Sequence, residues 1–383
     1  MKIVGIVSEY NPFHNGHNRQ LRLIRQLLGA DTAIVCAMSG NFVQRGGPAI
    51  FDKALRARVA VECGADLVLE LPVQTALSSA EGFASGGVRI LGQLCDTLCF
   101  GSESADSDRM MSTAEALLSP EFSSQLRIRL DAGLSFPAAR QKALEDMGFD
   151  GALLANPNDI LAVEYCKAIL CHGLSMEILP LRRDGGYHDL TPEAEQPSAT
   201  SLRRLIHDGR DIAPYVPAPA HEVFQNAPIH TISAGENAIL YRLRTMTDGE
   251  FEALPYGSEG LWRKLMHASR KYATLEQILE ETKSKRYTRS RLDRMVMCAF
   301  LGLDRTAMSQ VPEYTRVLAF SHRGRQLLAA HRESGLFLHT GEKTDHPQWE
   351  IEQRCENLYG LFRQDGPGLP GKAEKDRIYY KKS

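Results

Sequence analysis

The chain has 383 residues, of which 43% are hydrophobic and 24% are charged, and its net charge is −2. This length predicts two or three domains with sizeable cores, and the near-neutral charge excludes binding of nucleic acid through overall charge, so any RNA contact must come from a local basic patch. The eight cysteines include no C-x-x-C pair, and no apolar run approaches the ~20 residues of a membrane span, which argues against a zinc site, a disulfide framework or a membrane partner. We therefore expect a cytoplasmic protein with no signal peptide and no metal site of its own.

Strands and helices alternate over the first two hundred residues. Short apolar runs at 2–7, 32–38, 66–72, 97–100 and 176–181 are typical of buried strands, and apolar spacing between them predicts helices at 21–28, 53–63 and 76–91. Such alternation predicts the α/β class, with a parallel sheet covered by helices on both faces. The ligand of such a sheet lies beyond the carboxyl ends of its strands.

The loop after the first strand carries the strongest functional signal. It reads Ser8-Glu9-Tyr10-Asn11-Pro12-Phe13-His14-Asn15-Gly16-His17 and leads directly into the first helix. A helix start offers unpaired N–H groups and partial positive charge, and two histidines three residues apart can add side-chain donors. The loop therefore predicts a phosphate site, with two solvated capping histidines as the alternative.

Three later positions offer further ligand contacts. The stretch 39–48, with three glycines and Arg45, suits a loop that closes over an anion, although a plain surface turn has the same composition. Gly101, directly after the fourth strand, would leave room for a ribose or a base. Arg182 and Arg183, at the end of the fifth strand, are candidates to neutralise a triphosphate.

Helical segments lie between these loops. Residues 107–147 predict amphipathic helices that form an insertion packed on the sheet, at about 106–150. Asn158 is predicted to cap a helix, with Pro157 before it. Capping accounts for one asparagine of Asn156-Pro157-Asn158, and the other could contact an adenine edge because an amide both donates and accepts.

A second motif, Ser198-Ala199-Thr200-Ser201-Leu202-Arg203, starts a helix whose first turn carries Arg203. With His14-x-Gly16-His17 it resembles the two signatures of the nucleotidyltransferase superfamily, H-x-G-H and S-S-T-x-x-R, except that Ala199 stands where the second serine would be. Five runs, at 9–17, 38–46, 64–72, 100–103 and 186–189, are similar to the bacterial tRNA(Met) cytidine acetate ligase family. The similarity is dense over about the first 205 residues and thinner beyond them.

This resemblance implies a Rossmann-like nucleotidyltransferase domain and a two-step reaction. Acetate and ATP would give acetyl-adenylate and pyrophosphate, and the acetyl group would then pass to N4 of the wobble cytidine of elongator tRNA(Met). ATP with its Mg²⁺ would be the cofactor, acetate and tRNA the partners, and no DNA is expected. The catalytic residues would be His14, His17 and Arg203. The ATP-binding residues would be Val7, Ser8, Glu9, Tyr10, Asn11, Pro12, Phe13, His14, Asn15, Gly16, His17, Asn18, Arg19, Gln20, Gly101, Asn158, Arg182 and Arg183.

The strand and helix alternation stops after Arg204. The proline-rich stretch 208–219 indicates a boundary, and helical patterns dominate from 238 to 303. Six cations lie within 283–294 together with Tyr287, which suits phosphate contacts and base stacking, although a charge run is usually a solvated helix face. The implied tRNA substrate favours RNA contact. The predicted tRNA-binding residues are Lys283, Lys285, Arg286, Arg289 and Arg291.

The chain is thus predicted to hold a catalytic domain at 1–210, a mainly helical, tRNA-binding domain at 211–310 and a small α/β region at 311–383 that ends in a loose basic tail. Two other functions stay open. An adenylyltransferase acting on a phosphorylated small molecule would share both signatures but would hardly need the region after Arg204. A tRNA-binding protein without catalysis would be expected to have lost a histidine or Arg203.

Overall fold

A mostly parallel sheet organises the fold. The computed structural model describes residues 1–183, 197–284, 287–330, 335–342 and 344–382. Its strands β2 and β5 are buried along their whole length, as their apolar, β-branched sequences favour. The strands are β1 (Ile3–Ser8), β2 (Ala33–Ser39), β3 (Phe42–Val43), β4 (Gly47–Pro48), β5 (Leu67–Leu71), β6 (Thr97–Ser102), β7 (Glu177–Arg182), β8 (Tyr314–Phe320), β9 (Phe337–His339) and β10 (Tyr379–Tyr380).

The strand order of the main sheet is β10-β8-β5-β2-β1-β6-β7, and β9 also pairs with β8. The strands from β5 to β7 run parallel, and β8 is antiparallel to β5. The chain passes from β1 to β2 on one side and later to β6 on the other. Strand β1 is therefore the topological switch point, where an open α/β sheet binds its ligand. The predicted fold class, an α/β domain with a parallel sheet, is confirmed.

The helices of the first half cover both faces of this sheet. Helices α4 and α8 pack on one face against Val35 and Leu98, whereas α1, α2 and α9 pack on the other against Ile6 and Ile34. Successive residues of β2 therefore pack into the cores on opposite faces of the sheet, because side chains alternate along a strand. These helices are α1 (Asn15–Leu28), α2 (Lys53–Glu62), α3 (Val73–Ala76), α4 (Ala80–Leu91), α5 (Ser107–Leu118), α6 (Pro120–Asp131), α7 (Phe136–Asp146), α8 (Pro157–Cys171) and α9 (Ala199–His207).

The helices that follow build a core of their own. Phe42 and Leu77 of the first half pack into this second core and so connect it to the sheet. The division of the chain at 210 and 310 stays a prediction. Within the described residues no helix is both long and apolar enough to cross a membrane. The helices are α10 (Ala218–Phe224), α11 (Glu236–Thr245), α12 (Asp248–Glu252), α13 (Leu261–Lys271), α14 (Leu275–Thr282), α15 (Arg289–Leu301) and α16 (Arg305–Met308).

The C-terminal residues are built into the same sheet. They form α17 (His322–Ala330), α18 (Pro347–Tyr359) and α19 (Lys372–Lys375) besides strands β8 to β10. The prediction of a loose tail is wrong for the described residues, because Lys372 pairs with Asp52 at 2.9 Å and Lys381 with Glu62 at 3.3 Å. A basic composition alone does not reveal that carboxylates from the distant helix α2 lie beside it.

A buried ion cluster fixes α18 against the sheet. The ammonium of Lys53 lies 2.6 Å from a carboxylate oxygen of Glu70 and 2.8 Å from one of Glu356, and all three side chains are almost wholly buried. Glu352 accepts the N–H of Val73 at 2.9 Å, and burial raises the pKa of its carboxyl to about 7. Because removal of one partner from a buried pair costs about 3–5 kcal/mol, this cluster ties α18 to the sheet.

Candidate active site

Aromatic residues anchor the loop that leaves β1. Tyr10 and Phe13 are buried, with ring centroids 4.8 Å apart, and Tyr10 adopts a φ of 46°. The side chain of Asn11 accepts the N–H of Ile50 at 2.8 Å, which ties the loop to the segment after β4. Helix α1 therefore begins at a fixed position beyond the carboxyl end of the central strand.

His14 and His17 form a stacked pair at the start of α1. Nδ1 of His14 accepts the N–H of Gly16 at 3.1 Å, and Nδ1 of His17 accepts the N–H of His14 at 3.3 Å. The two ring centroids are 3.7 Å apart. Because each Nδ1 accepts a hydrogen bond, each neutral ring carries its proton on Nε2.

Both histidines are held in the neutral state. Burial lowers the pKa of His14 to about 3, and the positive charges of Arg183 and Arg203 act in the same direction. Burial, followed by the neighbouring His14, lowers the pKa of His17 well below its ordinary value. The pair therefore offers two neutral N–H donors beside a helix start that itself favours an anion.

A second helix start, that of α9, faces the same space. Ser198 caps α9 by accepting the N–H of Ser201 at 3.1 Å. Arg203, in the first turns of this helix, donates to the carbonyl oxygen of Asn11 at 2.7 Å and to the hydroxyl of Thr200 at 3.1 Å. The hydrogen bond to Asn11 brings the two sequence motifs into direct contact.

Arg183 is oriented by Asn158, and Asn158 by Glu103. The guanidinium of Arg183 donates to Oδ1 of Asn158 at 3.3 Å, and the amide nitrogen of Asn158 donates to Glu103 at 2.7 Å. Glu103 also accepts the N–H of Asp159 at 2.9 Å. Both ends of the Asn158 amide are thus engaged with protein groups beside the cavity.

One prediction for this corner is wrong, and another stays a prediction. The cap of α8 is Asn156, because Pro157 fills the first helical position, which suits a residue without an N–H. Room for a ribose or a base beside Gly101 stays a prediction; a Cβ there would lie 2.6 Å from Cδ of Arg183. Glycine at this position makes room for the arginine side chain.

His14, His17, Asn158, Arg183 and Arg203 line one cavity of about 600 Å³, a size typical of sites for nucleotide-sized ligands. The cavity lies between the carboxyl edge of the sheet and helices α11, α14 and α15. The wall on the sheet side, which we call the signature wall, includes Glu9, Tyr10, His14, His17, Gly101, Asn158, Arg183, Thr200 and Arg203. The wall on the helical side, which we call the helical wall, includes Ile232, Glu236, Leu275, Glu276, Leu279, Arg289, Asp293 and Met297.

The helical wall carries a closed ion cluster. Arg289 donates twice to Glu276, each time at 2.6 Å, and once to Asp293 at 2.9 Å. Hydrogen bonding to Arg289 lowers the pKa of Glu276, whereas burial raises the pKa of Asp293. Two carboxylates therefore offset the charge of Arg289.

The hairpin formed by β3 and β4 connects the two walls. Glu9 of the signature wall accepts the N–H of Gln44 at 2.7 Å, and Arg294 on α15 donates to the carbonyl oxygen of Gln44 at 3.2 Å. Gly46, with a φ of 83°, packs against the backbone of α15, where a Cβ would lie 2.3 Å from the nitrogen of Arg294. The predicted anion loop is thus a hairpin that lines the cavity and contacts both walls.

The structure divides the predicted ATP-binding residues into three sets. Those that line the large cavity are Val7, Ser8, Glu9, Tyr10, Asn11, His14, His17, Gln20, Gly101, Asn158 and Arg183. A small adjoining cavity of about 90 Å³ is also lined by Gly16, Arg19 and Arg182. Pro12, Phe13, Asn15 and Asn18 line neither. Phe13 is part of the hydrophobic core, and Asn15 donates instead to the carbonyl oxygen of Pro214 at 3.1 Å.

The predicted tRNA-binding residues are held in different ways. Lys283 is exposed, whereas Arg289 belongs to the ion cluster of the helical wall. Arg291 donates to the carbonyl oxygen of Tyr256 at 2.9 Å and to the hydroxyl of Ser258 at 2.8 Å. Lys285 and Arg286, like the predicted motif at 186–189, lie outside the described residues. Their role in RNA binding stays a prediction.

Sequence reasoning assigned no specific role to two residues that shape the site. Glu103 belongs to a family-like run. Arg56, fully buried on α2, donates to the carbonyl oxygens of Glu9 at 2.5 Å and of Ser39 at 3.1 Å, and so fixes the ends of β1 and β2. The sequence indicates only that some of the cations Lys53, Arg56 and Arg58 could face the cavity, because a helical arginine is usually solvated.

Comparisons with known proteins identify the family of the chain. Residues 1–368 match the family described as HIGH Nucleotidyl Transferase. A tRNA(Met) cytidine acetate ligase of Acetivibrio thermocellus is 36% identical over 360 residues, covering 86% of this chain and 85% of the relative. Another, of Alkaliphilus metalliredigens, is 34% identical and covers 100% of this chain and 99% of the relative.

Solved structures show the same fold. TmcAL of Thermotoga maritima bound with alpha-thio ATP superposes with a TM-score of 0.89 at 29% identity, and both chains are covered completely. The apo form of the same protein gives a TM-score of 0.92, again at 29% identity and with complete coverage of both chains.

Proposed function

Because the chain belongs to the tRNA(Met) cytidine acetate ligase family of nucleotidyltransferases, we propose that it activates acetate with ATP and transfers the acetyl group to N4 of the wobble cytidine of elongator tRNA(Met). The observation that carries this proposal is the cavity in which His14, His17 and Arg203 meet at two helix starts. Such an arrangement stabilises charge on phosphate oxygens.

In the first step a carboxylate oxygen of acetate attacks the α-phosphorus of ATP. The bond to the β-phosphate oxygen breaks, and pyrophosphate leaves with its electron pair, so acetyl-adenylate forms. The two Nε2–H donors and the start of α1 would hold the α- and β-phosphates, while Arg203 with Arg182 or Arg183 would hold the β- and γ-phosphates. Mg²⁺ would enter with ATP as part of the substrate, and no acid or base is required.

In the second step the exocyclic amine of the cytidine attacks the acetyl carbon. The carbonyl carbon loses AMP, whose phosphate oxygen takes the bonding electrons, and the nitrogen loses a proton to water to give N4-acetylcytidine. A cavity bounded by two walls gives space for the adenylate and an incoming base together. In this proposal residues 1–210 catalyse, residues 211–310 dock the tRNA, and a tRNA substrate places the reaction in the cytoplasm.

The deciding experiment is ATP–pyrophosphate exchange by purified protein with Mg²⁺, with and without acetate. Exchange that requires acetate, together with transfer of radioactive acetate to elongator tRNA(Met) transcript, would support both steps. Exchange that does not depend on acetate but requires a phosphorylated small molecule would instead support an adenylyltransferase that acts on that molecule. Complete lack of exchange, even with bulk tRNA present, would overturn it.

A further inference from the structure

Helix α13 carries a basic face that the sequence prediction of RNA contacts did not include. Its buried side consists of residues such as Leu261, Leu265 and Met266, which pack into the core of the helical region. The opposite side exposes a stripe that we call the α13 basic face: Arg263, Lys264, His267, Arg270 and Lys271. Spacings of one, four, seven and eight from the first of these residues place them all along one side of the helix.

The cations of this face make few contacts that offset their charge. Among the described residues the carboxylate of Asp248 forms an ion pair with the face, at 2.5 Å from Arg270, and the charge of Glu281 acts on Lys271. The ammonium of Lys264 donates to the carbonyl oxygen of Lys283 at 3.1 Å. The α13 basic face is therefore more strongly positive than the surface around Arg289, whose guanidinium lies between two carboxylates.

Two half-buried aromatic rings, which also pack against the core of the helical region, flank the face. The guanidinium of Arg263 lies 4.9 Å from the ring centroid of Trp262, and the ammonium of Lys271 lies 5.0 Å from that of Tyr272. Cations interleaved with aromatic rings suit RNA, whose phosphates need positive charge and whose unpaired bases stack on flat side chains. A helix that binds membranes exposes an apolar side, whereas the apolar side of α13 is buried in protein.

The face also lies close to the cavity. Helix α13 packs directly on α14, and Leu275 and Glu276 of α14 line the cavity. Packed helices are about 8–10 Å apart, so one helix layer separates the basic face from the helical wall. The hydrogen bond from Lys264 to Lys283 also joins it to the start of the predicted basic segment.

We propose that the α13 basic face binds the phosphate backbone of the tRNA while the base to be modified enters the cavity, an inference that rests on the proposed function. The face supplies charge rather than a base-specific contact, since lysine and arginine on a helix surface track phosphates.

The test compares R263A/K264A/K271A with R127A/R129A/K142A, a control that removes three cations from α6 and α7. The dissociation constant of tRNA is measured by filter binding at several KCl concentrations, and thermal unfolding checks that both variants fold. Each lost phosphate contact lowers the salt slope by about 0.7–0.9, so the α13 variant should lose about two units of slope and on the order of 10²-fold in affinity near 0.1 M salt. The charge-retaining variant R263K/K264R/K271R should bind like the unchanged protein.

Three results would count against the inference. Equal affinity of the α13 variant and the control variant for tRNA would overturn this inference but leave the proposed function standing. Loss of binding to anionic phospholipid vesicles that exceeds the loss for tRNA would assign the face to a membrane surface instead. Failure of the unchanged protein to bind any tRNA would overturn the proposed transfer step as well, whereas acetate-dependent exchange tests the first step separately.

Discussion

The two walls of the cavity hold their arginine side chains in different ways. On the signature wall, Arg183 donates to the amide oxygen of Asn158, a neutral acceptor, beside two neutral histidines and two helix starts. On the helical wall, Arg289 lies between the carboxylates of Glu276 and Asp293. A carboxylate offsets the charge of a guanidinium, whereas a neutral acceptor does not. We therefore expect an anionic ligand to lie against the signature wall.

The largest expected effect comes from removing charge from the signature wall. The variant Arg203→Ala should lower kcat/KM for acetate-dependent pyrophosphate exchange about 10²–10³-fold, because one preorganised donor to a transition-state charge contributes about 3–4 kcal/mol. Arg204→Ala, which changes the exposed neighbour on the same helix, is the matched control. If both variants lose exchange to the same extent, the charge difference between the walls does not govern nucleotide binding.

A second prediction concerns the neutral histidines of the same wall. Since the pKa of His14 is lowered to about 3 in the folded protein, the unfolded chain binds more protons between that value and pH 6.5, its ordinary pKa. The stability that His14 contributes is therefore complete above pH 6.5 and is lost as the pH falls, by about 1.4 kcal/mol per unit. From pH 6.5 to pH 5 the free energy of unfolding should fall by about 2 kcal/mol more in the unchanged protein than in His14→Gln.

Urea unfolding at both pH values measures this difference. His207→Gln, at an exposed position at the end of α9, should leave the pH dependence unchanged. Parallel pH curves for the unchanged protein and His14→Gln would mean that His14 takes up a proton in the folded protein as readily as in the unfolded chain, so the fold does not hold it neutral.

A third prediction separates the two walls. At Gly46 the φ of 83° and the backbone of α15 both oppose a side chain, so Gly46→Ala should cost about 1–2 kcal/mol for the left-handed backbone alone and displace the hairpin from α15. Gly47→Ala is the control, because a Cβ there would meet no atom within 4 Å. Thermal unfolding of both variants measures the loss of stability, and the KM for ATP measures the effect on the cavity. Equal stability of Gly46→Ala and Gly47→Ala would show that the hairpin does not couple the walls.

The signature wall could be predicted from sequence because its chemistry is local. His14 and His17 lie within one helix turn, and Arg203 lies in the first turns of its own helix, so each motif specifies its local geometry without knowledge of the fold. The parallel sheet could be predicted for a similar reason, since buried strands such as β2 consist almost wholly of apolar residues.

The helical wall could not be predicted, because its properties depend on pairs that are distant in sequence. Composition showed that Arg289 and Arg291 are cations but not that Glu276 and Tyr256 would contact them. The basic end of the chain was mistaken for a loose tail for the same reason. The α13 stripe had a local signal, the helical spacing of its cations, which is harder to notice than a continuous run of charge.

The smallest expected effect distinguishes the helical wall from the α13 basic face. In tRNA binding, Arg289→Ala with Arg291→Ala should change the salt slope by less than about 1, because the charge of Arg289 is offset by carboxylates and only Arg291, held by neutral oxygens, keeps its charge for one phosphate contact. The two-cation variant R263A/K264A should change it by about 1.4–1.8, which is two contacts at 0.7–0.9 each. Filter binding across a series of KCl concentrations gives both slopes. If the salt slope changes more for the arginine pair of α15 than for R263A/K264A, tRNA breaks the ion cluster of the helical wall and binds to Arg289. The charge difference between the two walls would then exist only in the protein without tRNA.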